Sequence, residues 1–342
     1  MDAAVVTAQK HAASAEDVLV VRGLTTEFRG RHTRIRANDD IHLAVRRGGT
    51  LGIVGESGSG KSVLCRSILR LLPASADVHV AGTVEYEGRD LLRLREAEMR
   101  RLRGTELRMI FQNPMTSLNP VWPIGDQITE GLRVHGGLSA ANARAKGIEL
   151  LGRVGIPSPE RRFDEYPFQW SGGMLQRAVI AMAMAGAPKL LFADEPTTAL
   201  DVTIQDQILA LLTELQERTG MTLVLVSHDL AVVAETCDRI AVMYAGRIVE
   251  TAPTKSIFRT PRHPYTLGLL GSIPQVAAGA GRLTPIPGQP PDLAQLGPGC
   301  PFAPRCAFVS PDCTTTPVRL AAVESDHETA CLHPERIAKA VA

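Results

Sequence analysis

The sequence has almost no excess of charge of either sign. Thirty-seven lysines and arginines face thirty-six aspartates and glutamates over 342 residues. A protein that grips nucleic acid through phosphates carries a basic surplus or a basic stripe, so no nucleic-acid partner is expected. Long apolar runs are missing too. The longest small-and-apolar stretch, AVIAMAMAGAP at 178–188, falls short of the about 20 residues that span a bilayer. Work at a membrane would therefore pass through a partner. The opening MDAAVVTAQKHAASAED shows no basic segment followed by an apolar one, so no secretory leader is expected. There is no internal repeat and no block of a single charge. What remains, 44% hydrophobic and 21% charged, is the composition of an ordinary globular protein. The length suits one large domain with a smaller piece, or two domains.

Residues 1–16 read as a loose leader. VLVVRGLTTEF and IHLAV partly alternate apolar and polar, the pattern of strands near an edge, and predict an antiparallel edge subdomain. TLGIV (50–54), LLFA (190–193), TLVLVS (222–227) and RIAVMY (239–244) are short continuous apolar runs, as expected of buried parallel strands. Helical patterns at 61–72, 174–186 and 203–218 lie between them. The alternation predicts an α/β fold with a mostly parallel sheet. Residues 113–177 are mainly helical pattern broken by NPMTSLNPVWP and GIPSPERRFDEYP, and read as a helical insertion. From Pro274 to Pro304 proline and glycine are dense, which predicts irregular chain. The first domain is thus expected over 17–265 and an irregular, cysteine-containing extension over 266–342.

GESGSGKS (55–62) fits the phosphate-loop pattern G-x-x-x-x-G-K-[ST], after a predicted strand and at the start of a predicted helix. Gly55, Gly58 and Gly60 let backbone N–H groups turn inward around phosphate oxygens, and the helix N-terminus adds partial positive charge. Lys61 would reach the β- and γ-phosphates and Ser62 would ligate Mg²⁺. Ser57, Ser59 and Val63 complete the candidate nucleotide contacts. In KLLFADEP, Asp194 would hold Mg²⁺ directly or through water, and Glu195 could polarise the attacking water as a general base. His228, in SHD after the next apolar run, could touch the γ-phosphate and bridge to that water. Gln112, in MIFQNP, can ligate Mg²⁺ or orient water. Singly, the two acids could be a strand-exit cap, the histidine structural and the glutamine solvent-facing. Their order behind a phosphate loop points to nucleotide chemistry instead. A second glycine turn, WSGGMLQR (170–177), again stands before a predicted helix and offers Ser171, Gly172, Gly173 and Gln176.

With Asp201 in TTALD added, this ordered set resembles the ATP-binding cassette family of transporter ATPases over roughly residues 18–265. The resemblance implies a P-loop nucleotide-binding core working in head-to-tail pairs. The SGGMLQ turn of one subunit would close over the γ-phosphate held by its partner's GESGSGKS, with Ser171 and Gly173 donating hydrogen bonds. Asp201 would lie at the contact between subunits. The family usually places an aliphatic residue before Ser-Gly-Gly; Trp170 stands here and is expected to add bulk beside the interface, altering partner fit. Phe28 and His32 both remain candidates for stacking on adenine.

RHPYTLGLLGSIP (262–274), PIPGQPP and GCPFAPRC are similar to the C-terminal extension of oligopeptide/dipeptide importer ATPases. GESGSGKSV and IFQNPMTSLNPVWPIGDQI resemble the D-type subunit of that family more than the F-type. Implied partners are an F-type ATPase subunit, two integral-membrane permease subunits and an extracytoplasmic peptide-binding protein. The implied location is the cytoplasmic face of the inner membrane, as a peripheral subunit. Relatives of this kind serve dipeptides, longer peptides, nickel chelates and glutathione. Two other classes stand as alternatives. A DNA-repair cassette ATPase would bring a coiled-coil or zinc insertion and a basic surface; an iron–sulfur regulator would use ATP only to set a conformation.

Without a secretory leader, the six cysteines are expected to be reduced. Cys65 and Cys237 read as buried thiols. Cys300, Cys306, Cys313 and Cys331 share the tail with gaps of five, six and seventeen residues. Zinc sites usually show closer pairs, and four thiolates can also hold an iron–sulfur cluster. The family resemblance implies a [4Fe-4S] cluster. Zinc and unliganded thiols stay open alternatives.

Overall fold

The computed structural model describes residues 16–31, 33–73, 76–198, 200–273 and 285–341. The expected leader, Glu16 excepted, lies outside these residues, as do His32 and 274–284 of the proline-rich stretch. The described residues gather into two compact units. One comprises those up to Arg46, Leu51–Leu92 and those from Ser227 onward; the other comprises Arg47–Thr50 and Arg93–Val226.

In the first unit, β1 (Asp17–Arg29) and β2 (Arg34–Arg46) are long antiparallel partners. With β4 (Val78–Tyr86) and β5 (Arg89–Asp90) they form a sheet in the order β2-β1-β4-β5. Register shifts within β1 and a run of four buried residues, Val18 to Val21, explain why its apolar alternation is only partial. A second set of strands carries the glycine loop. β3 (Thr50–Val54) runs parallel to β9 (Arg239–Tyr244), and β10 (Arg247–Pro253) folds back antiparallel on β9. α1 (Lys61–Ile68) follows the loop after β3, and α9 (Leu230–Thr236) precedes β9. α10 (Thr254–Arg259) and α11 (Pro264–Gly271) come next.

The extension is more regular than its proline content suggested. β11 (Ala321–Glu324) and β12 (His327–Thr329) form a hairpin whose second strand pairs with β10. Strands of four and three residues are too short to register as periodicity. Glu250 of β10 anchors them: it is fully buried and accepts from the backbone N–H groups of Arg262 (2.6 Å) and His263 (3.0 Å), and its carboxylate lies 2.7 Å from Nε2 of His327.

The second unit holds parallel strands β6 (Leu107–Ile110), β7 (Leu190–Asp194) and β8 (Thr222–Ser227), in the order β6-β7-β8. Every residue of β7 is buried, as a strand covered on both faces requires, and this is why its sequence reads as an unbroken apolar run. Each large apolar side chain so buried contributes about 1.5–3 kcal/mol. α2 (Glu96–Thr105) precedes β6, and α8 (Val202–Thr219) joins β7 to β8. Between β6 and β7 lie α3 (Pro114–Ser117), α4 (Ile124–Val134), α5 (Ala140–Arg153), α6 (Pro159–Arg162) and α7 (Gly172–Met184). α4 packs on α5 and α7. Gly125 and Gly147 let α4 and α5 close around Phe163, whose ring a Cβ at either position would strike.

No helix among the described residues is long and apolar enough to cross a membrane.

Candidate nucleotide site and cysteine pocket

The loop Gly55–Ser62 leaves β3 and enters α1 through Gly60, the helix N-cap, at φ 101°. A side chain there would be strained and its Cβ would come to 2.2 Å of the Ala37 carbonyl, so only glycine fits. Gly58 also has positive φ, but nothing lies within 4 Å of a Cβ built on it: the loop mouth is open at that point. Lys61 is 5% exposed, and its ammonium donates to the carbonyls of Gly55 (2.7 Å) and Glu56 (3.1 Å). Ser59 is buried, and no hydrogen bond from its hydroxyl is found among the described residues. A cation laid over a glycine-rich turn, with a buried hydroxyl in the turn, suits a polyphosphate. Ser57 is exposed; Ser62 and Val63 are half-buried in the first turn of α1. His228 is exposed in the same unit, beside Asp229, whose side chain caps α9 by accepting from the Ala231 N–H at 2.8 Å.

The second unit presents its own polar group. Asp194, fully buried, ends β7. Glu195 follows it with φ 47°, a left-handed conformation uncommon for a residue with a side chain. Its backbone N–H donates to the Val226 carbonyl at 3.0 Å. Its carboxylate accepts from Gln112 Nε2 and from the Thr198 hydroxyl, each at 2.9 Å. Such strain persists where surroundings over-determine it, and it clusters at working sites. The structure therefore brings Gln112 to Glu195 across 83 positions of sequence. Thr198, absent from the sequence-derived set, completes the group; its hydroxyl in EPTTA gives no signal of its own.

Ser171 is exposed and caps α7, its hydroxyl accepting from the Met174 N–H at 3.4 Å. Gly172 is exposed and Gly173 half-buried, the latter against Ile204 at the start of α8. Gln176 is buried in α7. Asp201 caps α8 by accepting from the Ile204 N–H at 3.0 Å. Trp170 was expected to add bulk beside the interface. It is 7% exposed, and its indole N–H donates to Glu165 at 2.9 Å, so the bulk faces inward. Phe28 is half-buried near the end of β1, and His32 lies outside the described residues.

In the tail, Cys300, Cys306, Cys313 and Cys331 all line one pocket, together with Phe302, His263 and His333. Backbone N–H groups of Phe308 and His333 donate to the sulfurs of Cys306 (3.3 Å) and Cys331 (3.4 Å), each from two residues ahead. Burial raises the thiol pKa of Cys300 and Cys306, and pushes Cys331 up to about 12. Asp312 and His333 sit beside Cys313, with carboxylate and imidazole 2.8 Å apart, a grouping whose donor atoms could meet on one ion. Neither residue has regular ligand spacing, so neither is legible as a ligand in the sequence. Burial also holds His263 down to about 3, so its neutral ring accepts from the Tyr265 N–H at 3.1 Å and caps α11. Cys65 and Cys237 are buried away from this pocket.

A family model described as ABC transporter matches residues 38–198, and one described as the C-terminal region of oligopeptide/dipeptide transporters matches 249–313. A putative peptide import ATP-binding protein of Brucella melitensis is 50% identical over 95% of this chain and 99% of its own length. A probable peptide ABC transporter ATP-binding protein of Sinorhizobium fredii is 50% identical over 93% and 95%. Among solved structures, the ATP-binding cassette MJ0796, dimeric and bound to ADP and Pi, superposes with a TM-score of 0.62 at 27% identity, covering 69% of this chain and 98% of that one. CbiO1 of Clostridium perfringens, part of the transporter complex cbiONQ, gives 0.62 at 25% identity over 78% and 100%.

Proposed function

This chain belongs to the ABC transporter ATPases of the oligopeptide/dipeptide import branch, and we infer that it is the ATP-hydrolysing subunit that powers peptide uptake, working as the D-type member of its complex. The observation that carries the reading is the carboxylate of Glu195, set at the end of β7 on a left-handed backbone and gripped by Gln112 and Thr198. In our reading Gly55–Ser62 and Val63 bind the nucleotide phosphates, with Lys61 shifting from the loop carbonyls to phosphate oxygens. Ser62, Gln112 and Asp194 would hold Mg²⁺, which would neutralise phosphate charge when bound. Glu195 takes a proton from water as His228 steadies it. Ser171, Gly172, Gly173 and Gln176 serve the partner's nucleotide, and Asp201 lies at the subunit contact. ATP then holds two subunits together, and loss of the γ-phosphate contacts releases them. The helical insertion passes the motion to two permease chains at the cytoplasmic face of the membrane. An F-type ATPase and an extracytoplasmic binding protein complete the assembly.

The test is purification of the assembled complex. Integral-membrane chains should co-purify, and peptide-loaded binding protein should stimulate ATP turnover. Turnover that responds to DNA, in a chain with no membrane partner, would sink this reading. Stimulation by a nickel chelate or glutathione in place of peptide would reassign the cargo and leave the ATPase intact.

The four-cysteine pocket supports a metal centre. Four cysteines lining one pocket, with N–H donors to two of the sulfurs, suit thiolate ligands, whose charge those donors stabilise. We favour a [4Fe-4S] cluster held by Cys300, Cys306, Cys313 and Cys331. The nearby Asp312 and His333 keep zinc as the second reading. Anaerobic purification followed by iron, sulfide and zinc analysis is expected to give about four irons and four sulfides per chain, as the cluster requires. Zinc alone, or neither metal, removes the cluster.

A further inference from the structure

Glu56, the second residue of the phosphate loop, is held from two sides by chain that lies more than two hundred positions away. Arg305 donates from Nη1 to Oε2 at 2.7 Å and from Nη2 to Oε1 at 2.9 Å, a two-pronged pair with the Glu56 carboxylate. The same guanidinium donates to the Pro287 carbonyl at 2.8 Å and to the Tyr244 hydroxyl at 3.2 Å. It lies over the rings of Tyr244 and Phe302, and its side chain is 6% exposed. The backbone N–H of Glu56 donates to the Tyr265 hydroxyl at 2.8 Å. Tyr244, Tyr265 and Phe302 pack together with ring centroids 4.6–5.4 Å apart, so the arginine and the tyrosine share one rigid support. That support is part of the cysteine tail: Phe302 lies between Cys300 and Cys306 and lines their pocket, and Arg305 directly precedes Cys306.

Two physical consequences follow for the loop. A carboxylate within a phosphate-binding turn repels an incoming polyanion, and Arg305 cancels that charge. The backbone at Glu56 is also fixed by its bond to the Tyr265 hydroxyl, so less of the turn remains to be ordered when phosphate arrives; ordering done beforehand is not charged to binding. We propose that Arg305 is a positioning residue for the phosphate loop and that, through it, the folded cysteine tail and nucleotide affinity are linked. The proposal rests on the ATP-binding reading above but not on what the cysteines hold. Linkage is reciprocal, so bound nucleotide must protect the tail as much as the tail favours nucleotide.

The test titrates Mg-ATPγS into the full chain in its assembled complex, as parent, R305K, R305M, E56Q and E56Q/R305M, with K61A as the control that loses binding. Hydrogen exchange of 300–331 is followed with and without Mg-ATPγS. R305M is expected to weaken affinity about 5- to 150-fold, the span of ordinary coupling between sites. R305K should fall between, because an ammonium cannot make the fork. E56Q/R305M should regain part of the affinity lost in R305M, since the repelling carboxylate is gone. In the parent, Mg-ATPγS should slow exchange across 300–331, and in E56Q that slowing should shrink. E56Q leaves Arg305 and its aromatic support in place, so it remains informative if R305M fails to fold. Affinities within twofold of the parent for both R305M and R305K, with tail exchange indifferent to nucleotide in the parent, overturn the proposal while leaving ATP binding intact. A parent that binds no better than K61A takes down both.

Discussion

Glu195→Gln in the assembled complex is expected to bind ATP about as well as the parent and to hydrolyse it about 10²–10⁴-fold more slowly, the usual worth of a general base. The amide keeps the size of the carboxylate and an oxygen that can still accept from Gln112 or Thr198, which now donate at 2.9 Å each. The left-handed turn at φ 47° costs no more with Gln than with Glu, so the fold is untouched and the loss falls on proton transfer. Because the γ-phosphate persists, two subunits should remain joined on ATP. Single-turnover kinetics and gel filtration with Mg-ATP check both statements. Turnover near the parent's would remove Glu195 from the role of base.

Ser171→Arg is expected to abolish hydrolysis in the partner's site, by about 10²-fold or more, while sparing the nucleotide held by its own phosphate loop. Mispositioning of about 1 Å can cost that much. The residue is exposed, and its hydroxyl caps α7. Loss of such a cap destabilises by about 1 kcal/mol, too little to unfold a unit whose helix α7 buries Leu175, Val179 and Ile180. Damage seen in the partner's site therefore has to be local. The measurement is photolabelling of each loop by an azido-ATP in a pair carrying the substitution on one side. A defect confined to the substituted subunit's own loop rejects the shared-site arrangement.

The fold was most legible where burial is two-sided. LLFA and TLVLVS read as continuous, mostly apolar runs because β7 and β8 are buried at every position, and both strands lie where the runs do. The phosphate loop was legible for another reason: its glycines are fixed by backbone geometry, as Gly60 shows against the Ala37 carbonyl. What could not be read were partnerships made by ordinary residues far apart in sequence. Thr198 and Arg305 have no motif of their own, and their meaning comes from Glu195 and Glu56, which only folding brings to them. The orientation of Trp170 was not legible because its side chain can turn in or out, and the choice is made by Glu165, five residues back, which accepts its indole proton. The hairpin of β11 and β12 was missed because three or four residues carry too little pattern to count.

That hairpin has a consequence for how such subunits diverge. β12 covers the backbone margin of β10, and His327 on it meets the wholly enclosed carboxylate of Glu250. An ATPase trimmed of this segment would display raw strand edge, an invitation to stick to its neighbours, and would leave an acid in its interior short of its imidazole. Grafting a cysteine segment from one relative onto another therefore succeeds only if the border strand and its histidine travel with it.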